Sequence, residues 1–408
     1  MNVGGHRDTI LVVSFVTWCV LLTFPLLTVA GDSIRPDSPL LLFQILGAAQ
    51  YLAVAVAVGR SGELISRYDN FQISVLVIIY LSLGLQLHNE ESLIIAGIGY
   101  TIALLVTIVS LSLIFTMPTD AVARCLGGVA AVFFAFGVSA IILFGWPEGR
   151  HLGPIHPNFF GSVMLSAFIF SQFREGAFFL LVRITCFVLA AAVSTRFAII
   201  GCVLALFVFE ITRNPFSLKL LLLLFLAAVC FVVFNQQIVA ILALDDPDRN
   251  LGSGFTGRDE EWFSAFRAIA ENPFGLGFKR PPFEGGWGHN GYLKIFLEFG
   301  IIGGSLIIVA VLSIILRALF EAIAGFGGDS RVRRVASARA AGLVALSFAT
   351  FFQPQMFNLG DVHGLSFMLL LFSLGRAPAR QPARLRRQEV QFNYGRARAP
   401  LSSPGDQT

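Results

Sequence analysis

The chain has 408 residues, of which 56% are hydrophobic and only 13% are charged. Soluble globular domains carry about 25% charged residues, so this composition excludes an ordinary soluble enzyme and a disordered chain. The apolar residues form runs long enough to cross a lipid bilayer, which takes roughly 20 residues in a helix. The sequence therefore predicts an all-α, polytopic membrane protein.

In chain order, the apolar runs predict about twelve transmembrane helices joined mostly by short loops. The predicted spans are residues 10–30, 39–58, 71–87, 92–116, 125–145, 158–173, 177–193, 197–212, 217–234, 291–316, 336–352 and 361–375. One long polar segment, residues 235–290, separates the ninth span from the tenth. The membrane domain is expected to cover residues 1–375.

The distribution of positive charge predicts the orientation of the chain, because loops that stay in the cytoplasm are enriched in Lys and Arg. With the N-terminus inside, Lys and Arg are about twice as numerous on the cytoplasmic side as outside. Both termini are therefore expected in the cytoplasm, and residues 235–290 are expected outside it. The tail, residues 376–408, is rich in Arg, Pro and Ser, and we expect it to be basic and disordered.

The first apolar run is longer than the 7–15 residues of a signal-peptide core, so it is expected to remain in place as a span. The cysteines lie in or beside apolar runs and lack metal-ligand spacing, which favours small buried hydrophobes over disulfides or a zinc site. They are Cys19, Cys125, Cys186, Cys202 and Cys230.

The long loop contains the pattern of one short amphipathic helix. Thr256 and Asp259 have the spacing of a capping box, which predicts a helix start near Gly257. Asn272-Pro273 is expected to end this helix. The apolar residues predicted to share one face are Trp262, Phe263, Phe266, Ile269 and Ala270. Such a helix is expected to lie flat on the outer membrane surface or on the bundle.

Two arginines on the predicted outer side are candidates for anion binding. Arg196 lies between two apolar runs, where a charge costs about 2.5–3.5 kcal/mol on insertion scales and needs a cavity or a partner. The alternative is an arginine that snorkels to the interface. Arg258 falls in the first turn of the loop helix, where it and the free backbone N–H groups can bind an anion, unless it pairs with Glu261.

A histidine precedes the tenth predicted span, in the sequence His289-Asn290-Gly291-Tyr292. Histidine has a reference pKa of about 6.5, so a neutral imidazole can accept a proton at physiological pH. A capping or interfacial histidine is the alternative interpretation.

Five short motifs follow one another between about residues 150 and 305. They are His156-Pro-Asn-Phe-Phe-Gly161, Ser194-Thr-Arg196, Thr256-Gly-Arg-Asp-Glu-Glu-Trp262, Glu271-Asn-Pro-Phe-Gly-Leu-Gly277 and His289-Asn-Gly-Tyr-Leu-Lys-Ile-Phe-Leu-Glu-Phe-Gly-Ile-Ile-Gly303. In this order they resemble the motifs of the O-antigen ligase and O-antigen or exopolysaccharide polymerase family. The chain departs from many relatives in one turn, which reads Ser-Thr-Arg-Phe where they have Ser-Arg-Gly.

The resemblance implies a C-type glycosyltransferase-like fold in the bacterial inner membrane. Family members transfer a glycan from an undecaprenyl diphosphate carrier to an acceptor hydroxyl at the periplasmic face. The acceptor is another lipid-linked repeat unit for polymerases and lipid A–core for ligases. For this chain, the resemblance implies inverting transfer without metal or cofactor; the His-Pro-Asn motif and the short tail favour a polymerase slightly.

The same resemblance implies a role for each matching residue. His289 corresponds to the catalytic histidine, and Arg196 and Arg258 correspond to the arginines that bind the diphosphate. The residues expected to support them are Asn290, Tyr292, His156 and Asn158. The implied partners are the lipid-linked donor, the glycan or lipid A–core acceptor, the membrane and a chain-length regulator, and no nucleic acid.

A transporter or flippase of lipid-linked sugars is the main alternative. Such a protein is expected to carry charged residues inside several spans, whereas Arg183 and Glu210 are the candidates within the predicted spans. A scaffold of a polysaccharide export complex is a third interpretation. It gives no reason for Arg196, Arg258 and His289 to share one side of the membrane.

Overall fold

A computed structural model describes residues 3–27, 39–58, 91–114, 117–147, 152–214, 258–276, 289–325, 329–354, 356–359 and 361–372. Within these residues the chain is helical, and the one element of β type is an isolated bridge between Leu152 and Ile155. The predicted all-α class is confirmed for the described part. The basic tail at 376–408 lies outside it.

All the described helices except α8 overlap predicted apolar runs, with ends that differ by up to eight residues. In chain order they are α1 (Val3–Thr23), α2 (Pro39–Ala57), α3 (Glu91–Ile114), α4 (Thr119–Phe144), α5 (Pro157–Ser171), α6 (Ala177–Ala192), α7 (Arg196–Arg213), α8 (Arg258–Glu271), α9 (Gly291–Ala324), α10 (Ser330–Thr350) and α11 (Val362–Leu371). A 3-10 turn, Phe24–Leu27, follows α1. The predicted spans at 71–87 and 217–234 lie outside the described residues.

Three described segments are long and apolar enough to cross a membrane, namely His6–Thr23, Thr119–Phe144 and Gly291–Ala324. Shorter apolar helical segments accompany them: Ile45–Ala57, Ile102–Ile114, Pro157–Ser171, Ala177–Ala192 and Val362–Leu371. Large apolar side chains such as Ile142 and Val309 are exposed, as expected where helices meet lipid tails. These helices indicate an integral membrane protein. The number of spans and the side on which the termini lie stay predictions.

Helix α5 lies at the centre of the bundle, and every residue of it except Asn158 is buried. It packs against α4, α6, α7, α10 and α11. Glycines allow close approach here, because Gly161 faces the Thr195 side chain and Gly201 faces Leu165. Close packing of this kind stabilises helix association in lipid, where apolar burial alone supplies little driving force.

The cysteines of the described part, Cys19, Cys125, Cys186 and Cys202, are buried free thiols. The prediction of buried hydrophobes is therefore confirmed for these residues, whereas Cys230 lies outside the described residues. Among the described residues, no group of three or more His, Cys, Asp and Glu side chains has an arrangement suited to a metal ion.

Helices α7 and α10 lie side by side and run in opposite directions. The guanidinium carbon of Arg334, in the second turn of α10, lies 5.7 Å from the ring centroid of Phe209, near the end of α7. Arg196 lies thirteen residues before Phe209, and Ser347 lies thirteen residues after Arg334. At 1.5 Å per residue, each is about 20 Å from that contact. Arg196 and Ser347 therefore lie at one end of the bundle, which we call the Arg196 end.

The opposite end of the bundle, which we call the Arg334 end, is held by ion pairs between loops and helix starts. Arg331 lies 3.1 Å from a carboxylate oxygen of Asp120, and Arg213 lies 3.0 Å from one of Glu175. Arg334 pairs with the same carboxylate of Glu175. These contacts join the starts of α4 and α10 and the end of α7 to the loop between α5 and α6.

Helix α9 is folded sharply within its length. Its backbone leaves helical geometry at Gly300, where φ is 71° and ψ is −177°. A Cβ atom on Gly304 would lie only 3.2 Å from the Cα atom of Phe296. In a straight helix these two residues would be about 12 Å apart along the axis. We call residues 291–299 the short arm and residues 301–324 the long arm. The predicted uninterrupted span at 291–316 is thus broken.

The turn that follows α8 is held against this break by two backbone hydrogen bonds. The N–H of Leu276 donates to the carbonyl of Leu297 at 2.7 Å, and the N–H of Ile301 donates to the carbonyl of Pro273 at 2.8 Å. The turn therefore satisfies backbone groups on both sides of the break, which an interrupted helix leaves without intrahelical partners.

Two glycines make this contact sterically possible. A Cβ atom on Gly300 would lie 2.4 Å from the carbonyl oxygen of Pro273, and one on Gly275 would lie 2.6 Å from the carbonyl oxygen of Glu298. Both glycines have a positive φ, 71° and 93°. Glycine adopts this conformation without the strain that a Cβ atom would add.

We predict that Gly300→Ala destabilises the protein, because alanine at this positive φ and extended ψ adds about 1–3 kcal/mol of backbone strain and also displaces the turn. The melting temperature of the purified protein in detergent measures the effect. Gly325→Ala is the control, because its φ is −72° and its added Cβ would meet no atom closer than 3.4 Å. Equal melting temperatures for the two variants would contradict the proposed fit of the turn.

Candidate functional site

Arg196 is the first residue of α7 and follows the turn that links α6 to α7. The predicted turn between two helices is confirmed. Thr195, which is 1% exposed, fixes this turn by donating its hydroxyl to the carbonyl of Pro157 at 3.2 Å. The side chain of Arg196 is half-buried. The start of α7 is therefore tied to the start of α5.

His156 and Asn158 form the start of α5. The Nδ1 atom of His156 accepts the N–H of Asn158 at 3.2 Å, and Pro157 occupies the first helical position. This is an N-cap, in which a side-chain acceptor satisfies an N–H group that the helix leaves unbonded. Because Thr195 bonds to Pro157, both residues lie at the Arg196 end. Their supporting role in chemistry stays a prediction.

His289 and Asn290 begin the short arm. The Oδ1 atom of Asn290, which is 5% exposed, accepts the N–H groups of Tyr292 at 2.9 Å and of Leu293 at 3.2 Å. His289 lies in the preceding turn, and its side chain is exposed. The Asn290 cap therefore fixes the backbone beside the imidazole.

Backbone strain marks both of these turns. Among the described residues, Ser194 and His289 are the non-glycine residues with a positive φ, 50° and 46°. Such conformations persist only where the surrounding structure enforces them, and they cluster at functional sites. One of these residues is the predicted catalytic histidine, and the other lies two residues before Arg196.

Tyr292 ties the short arm to α10. Its hydroxyl donates to the carbonyl of Ser347 at 3.0 Å, and its ring centroid lies 4.5 Å from that of Phe351. Because Ser347 lies level with Arg196, the start of the short arm lies at the Arg196 end as well. Helix α9 also contacts α7 directly. The fold thus brings Arg196 and His289 to the same end of the bundle.

Sequence reasoning missed a buried ion pair on the short arm. The ammonium of Lys294 lies 3.9 Å from a carboxylate oxygen of Glu298 and donates to the carbonyl of Pro354 at 3.2 Å. The two side chains are only 12% and 5% exposed. Their i,i+4 spacing within an apolar run is the signal that could have found them. The hydrogen bond from Lys294 to Pro354 ties the short arm to the segment after α10.

Sequence reasoning also missed a polar contact inside the bundle, between His363 and Thr350. The Nε2 atom of His363 lies 3.4 Å from the hydroxyl of Thr350, which donates its own proton to the carbonyl of Leu346. The network therefore assigns the ring proton to Nε2. Gly291 lies against Thr350, with an added Cβ only 2.5 Å from its methyl group. The contact between His363 and Thr350 therefore lies next to the first residue of the short arm.

Helix α8 begins at Arg258 and ends at Glu271, which confirms the predicted start near Gly257 and the end before Asn272-Pro273. The side chain of Arg258 and the predicted capping box lie outside the described residues. The helix packs on the short arm through a small cluster of apolar residues. These are Trp262, Ala265, Ala268 and Ile269 of α8, Leu276 of the turn, and Leu293 and Leu297 of the short arm.

The apolar residues predicted for one face of α8 divide between two surroundings. Trp262 and Ile269 pack on the short arm, but Phe263 and Phe266 are 74% and 56% exposed. The fully buried residue is Ala265, which was not predicted. Successive residues are about 100° apart around a helix, so Trp262 and Phe263 cannot serve the same contact.

The region that contains most of these residues matches a known protein family. Residues 177–308 match the family described as O-Antigen ligase. This range includes Arg196, Arg258 and His289, whereas His156 and Asn158 lie before it. The match confirms the family resemblance for the four motifs that lie within residues 177–308. A search of curated proteins finds no significant match.

We predict that Asn290→Ala destabilises the protein by about 0.5–2 kcal/mol, because it removes the side-chain acceptor at the start of the short arm. Asn290→Ser keeps an N-cap acceptor and should remain close to the wild type. Chemical unfolding in mild detergent, followed by tryptophan fluorescence, compares the two variants. If alanine and serine were equally stable, the cap would not hold the short arm.

Proposed function

We propose that this protein transfers a glycan from undecaprenyl diphosphate to an acceptor hydroxyl, because residues 177–308 match the family described as O-Antigen ligase. The reaction takes place at the periplasmic face of the bacterial inner membrane, with the Arg196 end of the bundle on that side. The observation that carries the proposal is the position of Arg196 and His289 at one end of a helical bundle.

In this proposal, Arg196 and Arg258 bind the diphosphate of the donor. Each residue begins a helix, where unbonded N–H groups and the helix dipole favour an anion. A guanidinium can also donate two parallel hydrogen bonds to phosphate oxygens. Negative charge grows on the diphosphate as the bond to the sugar breaks, so fixed cations stabilise the transition state more than the ground state.

His289 acts as the general base. The acceptor oxygen forms a bond to the anomeric carbon, while the bond between that carbon and the diphosphate oxygen breaks. The hydroxyl proton passes to the imidazole of His289, and the lipid diphosphate leaves. A single displacement of this kind inverts the anomeric configuration. The exposed position of His289 at the start of the short arm leaves the imidazole accessible to an acceptor.

The supporting residues act by holding these groups in place. Asn290 caps the helix that follows His289, and Tyr292 anchors that helix to α10. His156 and Asn158 form the start of α5, to which Thr195 ties the turn before Arg196. Preorganisation of this kind matters because small displacements of catalytic groups cost large factors in rate.

A polymerase and a ligase share this chemistry and differ in the acceptor. A polymerase joins the glycan to another lipid-linked repeat unit, and a ligase joins it to lipid A–core. For the polymerase, a chain-length regulator is the proposed partner. A knockout that accumulates single repeat units indicates a polymerase, whereas one that loses only the surface attachment of long chains indicates a ligase.

We predict that Arg196→Lys, Arg258→Ala and His289→Ala each slow glycan transfer by about 10²–10³-fold, which is typical for loss of one catalytic charge or donor. Lysine keeps the charge of Arg196 but cannot make the two-point contact with phosphate oxygens. The assay uses purified protein in liposomes with a polyprenyl diphosphate-linked glycan.

The matched control is Arg267→Ala, because Arg267 lies exposed on the same helix as Arg258. This control should transfer at the wild-type rate. A wild-type rate in His289→Ala would exclude its role as the base, and equal losses in Arg267→Ala and Arg258→Ala would exclude a specific role for Arg258.

A further inference from the structure

Helix α8 and the turn after it carry three aromatic side chains that are largely exposed. Phe263, Phe266 and Phe274 are 74%, 56% and 72% exposed. Ala270, one turn after Phe266, is exposed as well. Residues spaced by three or four lie on one side of a helix, so Phe263, Phe266 and Ala270 form a continuous stripe. We call this stripe, together with Phe274, the phenylalanine surface.

The other sides of α8 have different chemistry. The face formed by Trp262, Ala265 and Ile269 packs on the short arm. The stripe lies about 100° around the helix from this packed face. A further quarter turn or so leads to the exposed polar side chains, which are Glu260, Ser264, Arg267 and Glu271. A helix that met only the bundle and water would need no second apolar face.

The long arm of α9 shows where the membrane lies relative to α8. Its exposed apolar side chains recur at helical spacing and include Ile302, Leu306, Val309, Leu312, Leu316 and Phe320. Residues 301–324 rise about 36 Å, which slightly exceeds the roughly 30 Å thickness of the hydrocarbon core. The break at Gly300 therefore lies at the boundary of the apolar layer.

The phenylalanine surface is continuous with this lipid-facing stripe. The turn that contains Phe274 is bonded to the start of the long arm, since Ile301 donates its N–H to the carbonyl of Pro273. Ile301 and Ile302 are themselves 45% and 62% exposed. The exposed apolar surface of the long arm thus continues onto α8 at the level where the apolar layer ends.

We propose that α8 is an interfacial helix whose Phe263, Phe266 and Phe274 insert between the lipid acyl chains of the leaflet at the Arg196 end. Its packed face meets the bundle, the phenylalanine surface meets lipid, and the polar side chains meet headgroups and water. One consequence rests on the proposed function. The helix begins at Arg258, so its insertion holds that residue at the headgroup layer, where the diphosphate of a lipid carrier lies.

Spin labels test the depth of α8 directly. Phe263→Cys, Phe266→Cys and Phe274→Cys are labelled with a nitroxide, one at a time, in protein reconstituted into phosphatidylethanolamine and phosphatidylglycerol vesicles. We expect high access to oxygen and low access to a water-soluble nickel chelate at all three positions. Glu260→Cys and Arg267→Cys, on the same helix, are the controls and should show the reverse.

Two results would overturn the proposal. High access to the nickel chelate at positions 263 and 266 would mean that these side chains face water and that α8 does not contact the lipid. Low access to both reagents would mean that protein, such as a second copy of this chain, covers the surface. Neither result depends on catalysis, so this test is separate from the proposed glycan transfer.

A second comparison tests the consequence for Arg258. The double variant Phe263→Glu with Phe266→Glu should raise the KM for the lipid-linked donor several-fold, whereas Phe263→Leu with Phe266→Leu should keep it near the wild-type value. An unchanged KM in the glutamate variant would refute the role of insertion in donor binding. If the spin labels report lipid contact but the wild-type protein transfers no glycan, the proposed function is refuted. The proposal of an interfacial helix is then still supported.

Discussion

The sharp fold of α9 at Gly300 is the constraint on which the rest of the site depends. An uninterrupted helix of 34 residues would be about 51 Å long and would carry His289 well beyond the apolar layer. The fold instead returns the short arm to the bundle, where Tyr292 bonds to α10. Glycine is required at the break for two reasons. It adopts the positive φ without strain, and its lack of a Cβ atom leaves room for the carbonyl oxygen of Pro273.

The same break organises the helix that begins at Arg258. Its C-terminal turn is bonded across the break, and its packed face rests on Leu293 and Leu297 of the short arm. Helix α8 and the short arm therefore form one unit, and Tyr292 of that unit bonds to α10 at the Arg196 end. In the proposed reaction, this unit holds Arg258 in a fixed position relative to Arg196. Little reorganisation is then needed when negative charge develops on the leaving diphosphate.

The sequence predicts features that depend on local residues. Apolar runs predict the helices, Pro273 predicts the end of α8, and the polar residues around Ser194 predict a turn. The fold at Gly300 was missed because it lies inside an apolar run that resembles an ordinary span. The exposure of Phe263 was missed for a related reason: periodicity shows which residues are apolar, whereas tertiary contact decides which apolar residues meet protein and which meet lipid.

In the proposed reaction, Arg196 and Arg258 bind the lipid diphosphate and His289 acts in the chemical step. The most direct measurement is the affinity of purified protein for undecaprenyl diphosphate, determined by native mass spectrometry in detergent. We expect Arg196→Lys and Arg258→Ala to weaken binding by about tenfold or more, as follows from loss of a charged hydrogen bond. His289→Ala should bind as tightly as the wild type although its glycan transfer is strongly slowed. Unchanged affinity in both arginine variants, or lost affinity in His289→Ala, would contradict the account.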